Sequence, residues 1–231
     1  MFGIKARQIC PGVFMVGGPE FSDPRDCLCY LAVGEKSRVL IDCGCGPSAG
    51  RIVSLAQRAA GAPPSHLLLT HAHIDHAGGA AQVKALCGCQ VLIHRLEADV
   101  LAQGDGARSA ADWYNMHLPP LTADVLLEGG EELDLGGGMI LRIVHAPGHT
   151  PGSVCAWLES GGQRVLFGQD LHGPFSREFG SDLGQYAASM DALLELRADI
   201  LCEGHYGVFG PAQSAAAFMR QQLAANLPRR R

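Results

Sequence analysis

The sequence predicts an α/β fold of four layers, an αββα sandwich in which two sheets face each other and helices cover both outer faces. Two observations carry this expectation. Short apolar or alternating segments bounded by Gly, Pro and Asp recur along the chain, and in each half they give way to segments of helical periodicity. With 231 residues, 47% of them apolar, the chain can bury one large core without disulfides or partners. A single domain over residues 1–231 is expected.

The early strands are GVFMVGG (12–18), CLCYLAV (27–33) and SRVLIDCG (37–44), separated by Gly, Pro and Asp clusters. A helix fits residues 49–60, where Ile52, Val53, Leu55, Ala56 and Ala59 form one apolar face, and GAPPS ends it. HLLLT (66–70) is a short apolar run that suits a strand buried on both faces. A helix over 79–86, the strand QVLIH (90–94) and a short helix over 97–102 complete a β-α-β-α rhythm. Glycine-rich turns then divide residues 125–148 into a meander, and strands follow at 153–160 and 163–170. Helical patterns at 183–196 and 211–223 flank ADILCEGH (198–205), another apolar strand that runs into a histidine.

A formal net charge of −5 gives no basic field for nucleic acid, and the dense basic run PRRR at the end is expected to be solvated. No signal-peptide pattern and no run of eighteen apolar residues is present, so a soluble, unexported protein without a membrane partner is expected. Nine cysteines are an odd number and suit a reducing compartment, which points to the cytoplasm. Six of them form C-x-C pairs: Cys27 with Cys29, Cys43 with Cys45, and Cys87 with Cys89. Zinc knuckles use wider spacing within one module, so these six are expected to be small buried hydrophobes.

The chemistry concentrates in THAHIDHAGG (70–79), which carries three imidazoles and a carboxylate in six positions. In an extended segment His71 and His73 point the same way, which delivers two ligands to one ion. Asp75 and His76 lie where the chain turns into a helix, a change of direction that can serve a second ion. Other strand-like segments end similarly: His149 in HAPGHT, Asp170 in LFGQD and His205 in CEGH. A carboxylate such as Asp170 can bridge two cations. Nitrogen with carboxylate oxygen suits zinc, iron or manganese over magnesium or calcium. Asp42, at the end of RVLID, is better placed to orient a ligating histidine ring. His66, His94, His117 and His145 are expected to be structural.

In order and spacing, His71-x-His73-x-Asp75-His76, His149, Asp170 and His205 resemble the metallo-β-lactamase superfamily, from about Val13 to His205. The resemblance implies the αββα fold of that family and a dinuclear site. His71, His73 and His149 would hold the first metal, Asp75, His76 and His205 the second, and Asp170 would bridge them. Zinc is the expected metal for both positions. Asp170 and the missing signal peptide argue against a true β-lactamase, where a cysteine often replaces the bridging aspartate. Glyoxalase II-like and lactonase-like branches fit better. Only 26 residues follow His205, too few for the helical C-terminal domain of larger glyoxalase II enzymes. Lactonases carry a tyrosine soon after the bridging aspartate, where Phe175 is the nearby aromatic here.

Two cations sharing a water lower its pKa, so a metal-bound hydroxide is the expected nucleophile and an ester, thioester or lactone the expected substrate. Asp75 or a nearby polar side chain is expected to handle the proton, and His172 and Tyr206, beside the metal ligands, to act directly on the substrate or else to support the metal shell. Substrate choice is expected from residues 104–120, with Trp113, Tyr114, Met116 and His117 as a wall or lid or else as core, and from residues 171–186. A mononuclear-iron persulfide dioxygenase is the rival reading, and a phosphodiesterase or nuclease a third. The expected partner is a small molecule, and base rates favour a homodimer.

Overall fold

The computed structural model describes residues 4–227, so the PRRR run lies outside the described residues. Seven strands form the first sheet in sequential order: β1 (Arg7–Cys10), β2 (Val13–Met15), β3 (Tyr30–Val33), β4 (Arg38–Ile41), β5 (His66–Leu68), β6 (Gln90–His94) and β7 (Val125–Leu127). The pairs up to β4 are antiparallel and those from β4 to β7 parallel. Between the parallel strands run α1 (Ala49–Ala60), α2 (Ile74–Ala77), α3 (Ala80–Cys87) and α4 (Ala98–Gln103).

The second sheet holds β8 (Glu132–Gly136), β9 (Met139–His145), β10 (Val154–Ser160), β11 (Gln163–Gln169), β12 (Ile200–Glu203) and β13 (Val208–Phe209), in the order β13-β12-β11-β10-β9-β8. Its one parallel pair is β11 with β12, joined through α5 (Leu183–Glu195). The last helix is α6 (Ala212–Asn226).

Strand periodicity explains the layering. In β4, Val39 and Ile41 enter the core between the sheets, while Leu40 enters the core under the first helical layer. Leu68 and Leu67 divide the same way in β5, as do Leu92 against Val91 and Ile93 in β6. In the second sheet, Val165 and Phe167 face the first sheet and Leu166 faces α5 and α6. Successive side chains point to opposite faces, so a strand apolar at every position must be covered twice. Burying a Val, Leu, Ile or Phe stabilises by about 1.5–3 kcal/mol relative to exposure, which drives both coverings.

The expected helix over 49–60 matches α1, whose Ile52, Val53, Leu55 and Ala56 are buried. Several boundaries differ. HLLLT is a strand only through Leu68, so His71 and His73 lie in the loop after it. The expected 12–18 strand shortens to Val13–Met15, and β1, whose exposed side chains give no alternation, escaped the pattern. The meander divides between sheets, because β7 pairs in parallel with β6 while β8 opens the second sheet. All nine cysteines are free; eight are buried and Cys87 is half-buried, as expected of small hydrophobes. Among the described residues no helix is long and apolar enough to cross a membrane.

Candidate metal centre

The ligand-bearing segments all leave the carboxyl ends of their strands. His71 and His73 follow β5, and the one-turn α2 then turns Asp75 and His76 back toward them. His149 follows β9, Asp170 follows β11 and His205 follows β12. All but His205 are buried. Gly204 allows the close approach between the last two loops: a Cβ there would stand 2.5 Å from Asp170 Oδ1.

Two groups result. His71, His73, His149 and Asp170 can bring one ligand atom each to within 4.8 Å of one another, and so can Asp75, His76 and His205. In the first, His73 Nδ1 lies 3.0 Å from His149 Nε2. In the second, His76 Nε2 lies 3.3 Å from His205 Nε2, and Asp75 Oδ2 lies 3.2 Å from His205 Nε2. Asp170 stands between them: Oδ1 is 3.1 Å from His76 Nε2 and 3.3 Å from His205 Nε2, while Oδ2 is 3.5 Å from His149 Nε2. The seven residues singled out in the sequence therefore converge.

These groups fit cations better than they fit each other. His71 Nε2 and His73 Nε2 are buried without a hydrogen-bond partner among the described residues, although such groups normally find one. Burial pushes the His71, His73 and His149 imidazoles down, so they are neutral with lone pairs available. Burial also opposes charge on His76 and His205, but the Asp170 and Asp75 carboxylates outweigh it: His76 is held well above its ordinary range and His205 rises to about 10. Burial would raise Asp75 and Asp170, yet the neighbouring His76 and His205 keep both low. Protons here take the place a divalent cation would fill.

Supporting residues orient the cage. Asp42 behaves as expected: Oδ2 pairs with His76 Nδ1 at 2.8 Å and accepts from Thr70 Oγ1 at 2.8 Å. Its φ of +59° ends β4, a conformation that Asp tolerates better than most residues. The Pro174 carbonyl lies 2.8 Å from His149 Nδ1.

Two buried carboxylates were missed. Glu203 holds His172 Nδ1 at 2.7 Å and accepts from the backbone N–H groups of His205 and Tyr206. An acid inside the apolar run ILCEGH was the available signal. Glu97 accepts from Ala72 N at 3.1 Å and from Gly152 N at 2.9 Å, which ties the two loops that carry the first group's imidazoles. In sequence Glu97 resembles an ordinary acid at a helix start, so nothing marked it.

A cleft of about 190 Å³ opens over the cage, and its lining includes Asp75, Trp113, Tyr114, Asp170, His172 and Phe179. Trp113 and Tyr114 lie on a 3₁₀ turn, Ala111–Tyr114, and form its wall. Trp113 is 56% exposed, packs on Phe179 at 4.8 Å between centroids and donates to Glu178 Oε2 at 3.3 Å. Residues 104–120 and 171–186 thus touch across the cleft. Burial and the Asp75 carboxylate push the Tyr114 phenol up, so it stays protonated. Met116 packs against the core and His117 is exposed.

His172 lines the cleft with its ring 5.2 Å from that of His205. Tyr206 stands further out, 62% exposed, with its ring 4.9 Å from His172 and 5.7 Å from Phe218. His94 and His145 stack at 4.1 Å, His66 contacts Ser65, and none of these joins the cage.

Residues 22–205 match the metallo-beta-lactamase superfamily. The chain belongs to that superfamily. It is similar to acyl-coenzyme A thioesterase MBLAC2 of Gallus gallus, with 28% identity over 88% of this chain and 81% of that protein. It is also similar to hydroxyacylglutathione hydrolase of Anaeromyxobacter dehalogenans, with 37% identity over 64% of this chain and 47% of that protein. A metallo-beta-lactamase HARLDQ-motif mutant from Cronobacter sakazakii superposes with a TM-score of 0.79 at 24% identity, covering 96% of this chain and 95% of that one. The class B3 di-zinc metallo-beta-lactamase LRA-12 from an Alaskan soil metagenome gives 0.78 at 22%, covering 96% and 91%. At those identities the superpositions speak for the fold alone. As a member of the metallo-beta-lactamase superfamily with a His and Asp metal site, the chain is a metallo-hydrolase.

Proposed function

We propose that the protein hydrolyses a thioester, with esters and lactones as chemically related substrates, at a site of two divalent cations, preferably zinc. The observation that carries this reading is Asp170, whose two oxygens face the two histidine groups. Relatives that act on acyl-coenzyme A and hydroxyacylglutathione support thioesters among the possible electrophiles. Net charge −5 supports a small-molecule substrate over nucleic acid, and nine free cysteines support a reducing, cytoplasmic setting.

His71, His73 and His149 would hold one cation, Asp75, His76 and His205 the other, with Asp170 shared. Bound there, the cations would supply Lewis acidity and a water made nucleophilic at neutral pH. The residues divide the remaining work. Asp42 and the Pro174 carbonyl hold His76 and His149 in orientation. Trp113 and Phe179 wall the reacting group from bulk water. Asp75 takes a proton as water adds to the acyl carbon. His172, whose Nδ1 is held by Glu203 and whose ring lines the cleft, passes to the departing sulfur the proton that Asp75 took from the water. The balance is thioester plus water to carboxylate, thiol and one proton.

The test combines elemental analysis of protein purified without added metal with assays on thioesters, lactones and phosphodiesters. Two metals per chain and chelator-sensitive thiol release are expected, and Asp170→Ala should lose at least one metal. A single iron with oxygen uptake on glutathione persulfide would replace hydrolysis by dioxygenase chemistry, and unchanged metal content in Asp170→Ala would show that the bridge is misplaced.

A further inference from the structure

His205 belongs to two cavities. On one side it lines the cleft of about 190 Å³ over the cage, which has room for the reacting group and little more. On the other it lines a groove of about 300 Å³ that runs past Tyr206 toward the first sheet. Met15 and Leu28 are the buried residues of this groove, Phe21 is half-buried, and Tyr206 is exposed. Apart from His205, the charged residues that line it are Arg7 and Glu20, both exposed and of opposite sign. Away from His205 the groove therefore presents an apolar floor flanked by two offsetting charges.

It is also held in place independently of any ligand. Leu28 N donates to Gly204 O at 2.7 Å, which fastens the floor to the residue before His205. The wall around Phe21 is pinned at both ends. Phe21 N and Ser22 N donate to Gly18 O, while Asp26 accepts from Ser22 Oγ, Ser48 Oγ and Cys45 N. A surface this well ordered loses little entropy on binding.

We propose that this groove takes the acyl chain of the substrate, so that the protein selects thioesters of unbranched, unsubstituted acyl groups of medium length over acetyl and over hydroxyacyl thioesters. The inference rests on the thioesterase reading above and goes beyond it by naming the acyl arm. A thioester carbonyl at the cage has two arms. The thiol arm of a water-soluble carrier is polar and gains nothing from Met15 and Leu28, whereas a methylene chain is driven onto them. A hydroxyl on the chain would enter the groove beside apolar side chains and lose hydration without a partner.

The experiment measures kcat/KM for acetyl, hexanoyl, decanoyl and 2-hydroxyacyl thioesters of one thiol, and separately the binding of decanoate and acetate to the metal-loaded protein. For the unaltered protein, kcat/KM should rise by about fourfold per buried methylene until the groove is filled. Leu28→Trp fills the floor and should lower the decanoyl-to-acetyl ratio by at least about tenfold, and Phe21→Ala widens the wall and should move the optimum to longer chains. Thermal melting identifies a variant that fails to fold, and the two variants act in opposite directions. If both fold and the ratio stays put, or if selectivity follows the thiol at constant acyl group, the groove assignment is overturned. Decanoate binding that depends on Leu28, without turnover of any thioester, would uphold the groove and sink the thioesterase reading.

Discussion

Asp170 and Glu97 are both buried carboxylates, and their surroundings give them different work. Asp170 faces imidazole nitrogens, so His76 and His205 keep it ionised against burial. Glu97 faces backbone N–H groups from the two ligand loops, and burial raises its pKa. A Cβ at Gly152 would meet Glu97 Cγ at 2.6 Å, so the loop closes directly onto that carboxylate. Glu97→Gln would turn an amide N–H toward a backbone N–H and loosen one loop. First-site metal affinity should then fall by about 10–100-fold, while the second site is retained. Chelator competition on the loaded protein reads both sites. Equal weakening of the two would show that Glu97 supports the fold in general.

At the scale of elements, the loops after β9, β11 and β12 leave one edge of the second sheet, because β12 runs parallel to β11 and β9 shares their direction through two antiparallel steps across β10, and there they meet the loop after β5. Their ligand content was legible as strand-to-histidine and strand-to-aspartate junctions. The one-turn α2 was not, since four residues are too few for periodicity to register. Nor was the 3₁₀ turn Ala111–Tyr114, which decides that Trp113 walls the cleft instead of entering the core. Trp113→Ala removes the packing on Phe179 and the bond to Glu178. It should change relative kcat/KM among thioesters by about tenfold or more at constant metal content. An unaltered substrate profile would return Trp113 to a purely structural role.

For the whole molecule, proton and metal compete for the same cage. The folded pKa of His205 is about 10 against an ordinary 6.5, and that of His76 is also raised. For metal-free protein, the stabilisation from the His205 charge is therefore fully present below about pH 6.5 and lost as pH rises through about 10, and that from His76 is likewise lost on the alkaline side of its ordinary range. Asp75 and Asp170, held low, contribute above their ordinary 3.8 and lose that contribution as pH falls through their depressed values. Loading metal at pH 7 should release close to two protons per chain, from His76 and His205, because the first group's imidazoles are already neutral. Proton release in weakly buffered titrations measures this. Release near zero would mean that protons do not fill the second site. Bound metal should also raise the melting temperature, increasingly at alkaline pH, since it replaces charges that alkali removes.

By itself the sequence determined the layer order, the single helix over 49–60, the burial of the cysteines and the seven residues of the cage. Those features follow from local period and from the chemical type of single residues, which short windows contain. Only the tertiary structure decided that Glu97 and Glu203 support the site, that Trp113 faces solvent and that His205 lines two cavities. Glu97 meets Gly152 across 55 residues, and His205 meets Asp75 across 130. Contacts of that separation exist only after the sheets have packed, and no period along the chain encodes them.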